Sequence, residues 1–228
     1  MLNRDSIRDG VVYNLLKNNQ HITKTIPQTP EERSESLKNT LKEKPSYSTG
    51  DGVWVFGYGS LLWNPAFLYV ERLRGKIYGY HRSYCIWAHL GRGSPDNPGL
   101  MLALDRGGSC CGAAYRIAPE RIEEELTILW SREMALKTYK PVWVKIHTNG
   151  GPKIGITFII NRQDHRYAGR VLPNLIAKHL ATAKGSLGTS LEYLEKVLIS
   201  LEELDIRDPT LIDLKQRVIL LQDAGSTV

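Results

Sequence analysis

Apolar positions change rhythm along the 228-residue chain. Up to about residue 50 they are sparse, and this stretch reads as a weakly ordered, partly structured arm with one clear helix start. Thr29 can cap, Pro30 suits the first helical position and Glu32 completes a capping box, predicting a helix to about Leu41 before Pro45 stops it. From Val53 the pattern becomes short β-rich runs punctuated by glycine: Val53 to Phe56, Gly75 to Trp87, Leu100 to Leu104, Ala113 to Ile117, Pro141 to Ile146 and Ile154 to Ile160. A helix from Pro119 to about Leu136, with an acidic first turn that suits the helix dipole, interrupts them. Near the end, Thr189 and Glu192 form a second capping box ahead of Leu191, Leu194, Leu198 and Leu201 at helical spacing, and Leu211 to Leu221 gives a final helix. Strands first and helices last predict an α+β fold around a mixed sheet or barrel. The organisation expected is an arm over 1–50, one domain over 51–221 and a short tail over 222–228.

Composition narrows the classes. With 42% hydrophobic and 24% charged residues the chain matches a folded globular protein. The net charge of +6 comes from scattered Lys and Arg with no basic block, so nucleic acid is not implied, while a small anionic substrate fits equally well. No run of 18 apolar residues and no basic-then-apolar leader occur, which predicts a cytoplasmic protein without a membrane span. Three cysteines, two of them adjacent (Cys110 and Cys111), suit neither a disulfide framework nor a zinc site. A cysteine nucleophile is set aside because no orienting partner or electropositive niche is visible.

The candidate chemistry begins where the first strand runs into Gly57-Tyr58-Gly59-Ser60-Leu61. Without Cβ atoms at two positions the backbone can approach a ligand closely and present amides to an oxygen, although a tight strand exit needs the same glycines. Neither the phosphate loop nor the third glycine of a dinucleotide turn is present. On the helix after Pro119, Ile122, Leu126 and Leu129 mark the buried stripe, and Glu133 follows at i+11, within about 20° of the same direction. A carboxylate facing a core has its charged form disfavoured and is a candidate general base. Pairing with Arg132 or another arginine, or a helix that ends before it, is the alternative. Arg82 shares a strand face with Tyr80 and Tyr84, where it can either bind a carboxylate bidentately or stack on the tyrosines at the surface. Cys85 reads as core and His81 as partly exposed. The turn-rich run Arg92 to Gly99 reads as a surface loop of the kind that closes over sites.

Taken in order, these segments resemble the ChaC family of γ-glutamylcyclotransferases, historically also labelled cation-transport regulators. The resemblance runs from about Val53 to Leu214. It rests on Trp54 to Leu61 with Trp63-Asn64-Pro65, Gly79-Tyr80-His81-Arg82, Arg92-Gly93, Pro98-Gly99, Gly112-Ala113-Ala114-Tyr115-Arg116, Leu129-Trp130-Ser131-Arg132-Glu133-Met134, Tyr139-Lys140-Pro141, and Gly185 to Thr189 with Tyr193-Leu194. Ser190 stands where the bacterial pattern more often has asparagine, and the arm before Trp54 is poorly matched.

The resemblance implies a mixed β-barrel of the γ-glutamylcyclotransferase-like type with flanking helices and no metal or organic cofactor. It implies that Glu133 is the catalytic acid/base. It also implies that Val55, Phe56, Gly57, Tyr58, Gly59 and Ser60, joined by Leu61, Arg82 and Tyr139, bind substrate. The implied reaction converts glutathione to 5-oxoproline and Cys-Gly by attack of the substrate's own α-amine on its γ-carbonyl. Action on other γ-glutamyl amines or peptides is one rival reading, and a non-catalytic regulator of cation transport is another.

Overall fold

The computed structural model describes residues 3–46 and 52–225. Five strands close into a barrel in the order β1-β3-β2-β4-β5. They are β1 (Val53–Gly57), β2 (Glu71–Ala88), β3 (Gly99–Ile117), β4 (Tyr139–Thr148) and β5 (Lys153–Ile160). Closure comes from a parallel pairing of β1 with β5, Trp54 opposite Gly155 and Val55 opposite Ile156, while β1–β3, β2–β3 and β4–β5 are antiparallel. The α+β barrel with flanking helices is therefore present.

Two of the expected strands are one. Asp105 to Gly112 has the turn-rich composition of a break, yet β3 runs through it because β2 pairs with it along its length. The irregularity is absorbed by a register shift between Tyr78 and Tyr80 and by positive φ at Gly79, Gly107 and Gly108. Residues 106–109 are exposed, so a polar, glycine-rich stretch costs little there.

Eight helices are described. The arm carries α1 (Arg4–Arg8), α2 (Val11–Asn18), α3 (Gln20–Thr23) and α4 (Pro30–Lys42). The capping box of Thr29 and Glu32 opens α4 as expected, but the arm is more structured than one helix and it packs inward, with Ile7 and Leu37 buried. Residues 1–2 and 47–51 of the arm, and 226–228 of the tail, lie outside the described residues.

After a 3-10 turn at Pro119–Arg121 comes α5 (Ile122–Glu133), ending three residues before the expected Leu136. The last quarter holds α6 (Pro173–Thr182), α7 (Ser190–Glu202), opened by the Thr189–Glu192 capping box, and α8 (Pro209–Gly225). The main core joins the inner faces of β1, β3 and β5 to α5, α7 and α8, from Val55 and Tyr115 to Leu129, Leu194 and Val218. That packing fixes the end of α5 against the end of β1.

Candidate active site

Leu126, Leu129 and Trp130 are almost fully buried and seat one face of α5 against the core. Glu133, the final helical residue, continues that face. From the other side β1 ends at Gly57, and the backbone turns through Tyr58 and Gly59 into a 3-10 turn at Ser60–Leu62. The two meet in one cavity of about 800 Å³, lined there by Tyr58, Gly59, Ser60, Leu61, Glu133 and Tyr139. A Cβ at Gly59 would lie 3.0 Å from the Tyr193 hydroxyl, so this turn passes tightly against that phenol.

Arg132 ties the two halves together. Its Nη2 donates to Ser60 Oγ at 2.7 Å and its Nη1 to the Asn64 carbonyl. Its Nε lies 3.1 Å from Glu133 Oε1, close enough for an ion pair, yet Oε1 is buried and receives no aligned hydrogen bond. The two sequence alternatives thus coexist: Glu133 has an arginine beside it and is still sheltered. Burial raises the Glu133 pKa, and the lowering by Arg132 offsets only part of that. Around it, burial drives the Tyr58, Tyr139 and Tyr193 phenols upward, and the charge of Glu133 adds to each. These hydroxyls stay protonated near neutral pH; Tyr58 donates its own to the Phe158 carbonyl at 2.8 Å, which leaves Tyr139 and Tyr193 as the phenols in the cavity with a carboxylate that can accept and return a proton.

The structure sorts the expected site residues. Glu133, Tyr58, Gly59, Ser60, Leu61 and Tyr139 line the cavity; Val55, Phe56 and Gly57 do not. Those three lie inside the barrel wall, paired with Tyr115, Ala114 and Ala113 of β3, with Phe56 accepting from Thr157 Oγ1 at 3.0 Å. They lead into the turn from the barrel wall.

Arg82 also stands apart from the cavity. Its side chain is 4% exposed, and it neither lines the cavity nor stacks at the surface. Its Nε donates to the Tyr58 carbonyl at 2.7 Å, Nη2 to the Cys111 carbonyl at 2.6 Å and Nη1 to Asp208 at 2.5 Å. With each of its three guanidinium nitrogens bonded inside the protein, it braces the glycine turn from behind. Cys85 is core, as read, and His81, read as partly exposed, is exposed.

Several cavity residues escaped the sequence reading as site members. Tyr193 and Arg92 stood in recognised motifs but without a role. Ser190 is buried at the start of α7, and its hydroxyl bonds the Arg92 carbonyl at 2.8 Å, pinning the Arg92 loop to that helix. Lys196 had no signal beyond its charge, and Asn3, Arg4 and Val12 of the arm also reach the cavity. Among the described residues, no group of three or more His, Cys, Asp or Glu is placed to hold a metal ion.

The model of the family described as ChaC-like protein matches residues 53–220, most of the chain. The chain belongs to the ChaC family. Its ChaC relatives include the glutathione-specific γ-glutamylcyclotransferase of Escherichia coli (strain K12), 39% identical over 85% of this chain and 83% of that one. The mouse glutathione-specific γ-glutamylcyclotransferase 1 is 34% identical over 66% and 71% of the two chains. The crystal structure of a selenomethionine-labelled γ-glutamylcyclotransferase specific to glutathione from yeast superposes with a TM-score of 0.66. It is 23% identical, covering 74% of this chain and 96% of that one, and it shares the fold. Within the ChaC match lie Glu133, the Tyr58–Leu61 turn, Tyr139 and Tyr193; Asn3, Arg4 and Val12 precede it.

Proposed function

We propose that the protein is a γ-glutamylcyclotransferase acting on glutathione, which it converts to 5-oxoproline and Cys-Gly. The observation that carries this reading is Glu133 in a sheltered cavity shared with the glycine turn and three protonated phenols. The names of the E. coli and mouse relatives support the substrate. Lys196 also lines the space, whereas the cavity's arginines Arg4, Arg92 and Arg132 are paired with Glu125, Glu192 and Glu133.

The chemistry needs little beyond folding the substrate. Glu133 takes a proton from the α-ammonium of the γ-glutamyl group. The freed amine attacks the γ-carbonyl, forming the C–N bond of a five-membered lactam. As the original amide C–N bond breaks, the same carboxyl returns that proton to the departing cysteinyl nitrogen and then relays the second proton shed by the new ring nitrogen, so the lactam is released neutral, Cys-Gly leaves as its ammonium, and no water is consumed. Turn amides and phenols stabilise charge developing on the carbonyl oxygen. Holding amine and carbonyl in contact can supply up to about 7–11 kcal/mol in favourable cases.

Purified protein incubated with reduced glutathione is expected to yield 5-oxoproline and Cys-Gly in equal amounts by mass spectrometry. Glu133→Gln is expected to lower turnover by about 10²–10⁴-fold. Wild-type protein inert toward glutathione but active on γ-Glu-Ala would move the substrate elsewhere in the γ-glutamyl class. A fully active Glu133→Gln would remove the carboxylate from the mechanism.

A further inference from the structure

The arm before the ChaC-matched segment is fastened to both ends of the helix that carries Glu133. At the start of α5, Arg4 pairs with Glu125 through both terminal nitrogens and with Glu124 at 2.9 Å. Glu125 is fully buried, and its Oε2 also accepts the Leu68 amide at 2.8 Å. One carboxylate therefore joins the arm to the loop that follows the glycine turn. At the other end, the Gln28 amide donates to the Ala135 carbonyl at 2.9 Å and its side chain to the Met134 carbonyl at 2.6 Å, directly after Glu133. Arg33 secures the Gln28 carbonyl at 2.6 Å. Arg121 stands 3.5 Å from the same Glu125 carboxylate, but only Arg4 grips both of its oxygens, and a buried charge held in this way fixes position because weakening its pairing is costly.

Between these anchors the arm faces the cavity. Asn3, Arg4 and Val12 line it together with Phe67 and Leu68, whereas Glu133, Tyr139 and Phe158 line the part formed by the barrel and α5. Phe158 is 1% exposed, whereas Leu68 is 48% exposed, Asn3 is exposed and Arg4 and Val12 are half-buried, so the arm and Leu68 belong to the open end.

We propose that residues 3–12 form the outer wall of the substrate cavity, packing against the portion of the substrate beyond the γ-glutamyl group, and that Arg4 is the positioning residue that holds this wall in register with the Leu68 loop. The wall makes the length of the leaving peptide a determinant of binding. This rests on the reading of the cavity as a γ-glutamyl peptide site.

Two measurements on the full-length chain test it. In the first, Val12→Trp places bulk at the half-buried start of α2 and is expected to raise KM for glutathione by roughly tenfold or more while leaving the unfolding midpoint close to wild type. Arg4→Met should likewise raise KM more than it lowers kcat, with Arg4→Lys restoring much of the loss. In the second, hydrogen exchange on Glu133→Gln with and without glutathione should show added protection across residues 3–18. A folded Val12→Trp with wild-type KM, or no added protection of the arm, overturns the proposal. If Val12→Trp does not fold, the exchange result decides alone. Wild-type protein that fails to turn over glutathione overturns the earlier reading instead, so the two failures are separable.

Discussion

Arg132 Nε stands 3.1 Å from Glu133 Oε1 without an aligned hydrogen bond, so the arginine acts on the carboxylate chiefly through its charge. Burial pushes the Glu133 pKa up and Arg132 pulls it partly back. The ionised form is the one that accepts the substrate's proton. The acid limb of kcat/KM should therefore lie above the ordinary carboxylate value of 4.5. Arg132→Met should move that limb to higher pH, and a pH–rate profile with an unmoved limb would reject the electrostatic link.

The same carboxylate should weaken the fold near neutral pH. Its folded-state pKa is raised above the unfolded one, so as pH rises the unfolded chain releases the proton first. Stability falls between the ordinary value of 4.5 and the raised folded value, and levels off above it. Glu133→Gln removes that penalty. Unfolding midpoints measured at about pH 4 and about pH 8 should coincide for wild type and variant at the lower pH and favour the variant at the higher one. A variant less stable than wild type at the higher pH would show that Glu133 is held by a favourable interaction.

Arg82 is a brace, and its loss should be felt at a distance. Arg82→Met strips hydrogen bonds from the Tyr58 and Cys111 carbonyls and leaves Asp208 without its partner. Breaking such a buried pair typically costs about 3–5 kcal/mol. At about 2–4 °C per kcal/mol for a chain of this size, thermal unfolding should register it clearly. Activity should fall as well, because the glycine turn loses its backing. An Arg82→Met variant of wild-type stability and raised KM alone would return Arg82 to direct substrate binding.

Gly59 leaves only tight space for a methyl group. A Cβ there sits 3.0 Å from the Tyr193 hydroxyl, so Gly59→Ala pushes the turn and the phenol apart by a fraction of an ångström. We expect kcat/KM to drop by about tenfold or more, since misplacement of reacting groups by a fraction of an ångström is costly. In a Tyr193→Phe background the same step should cost less. Equal costs in both backgrounds would show that the clash is not with Tyr193.

Much of this protein is written locally. The capping boxes at Thr29 and Thr189, the closely placed strand runs and the inward direction of Glu133 follow from residues within a few turns of one another, because caps and apolar periodicity are short-range physics. The motifs that resemble the ChaC family also lie in the sequence. Tertiary structure decided the rest. Asp105 to Gly112 became strand because β2 lies alongside it, Arg82 turned to Asp208 across 126 positions, and the acidic first turn of α5 gave up Glu125 to burial beside Arg4, 121 residues earlier. Spacing within a helix or strand says which way a side chain points; it cannot say what the chain will bring to meet it, since that partner is chosen by the closure of the barrel and the packing of distant helices.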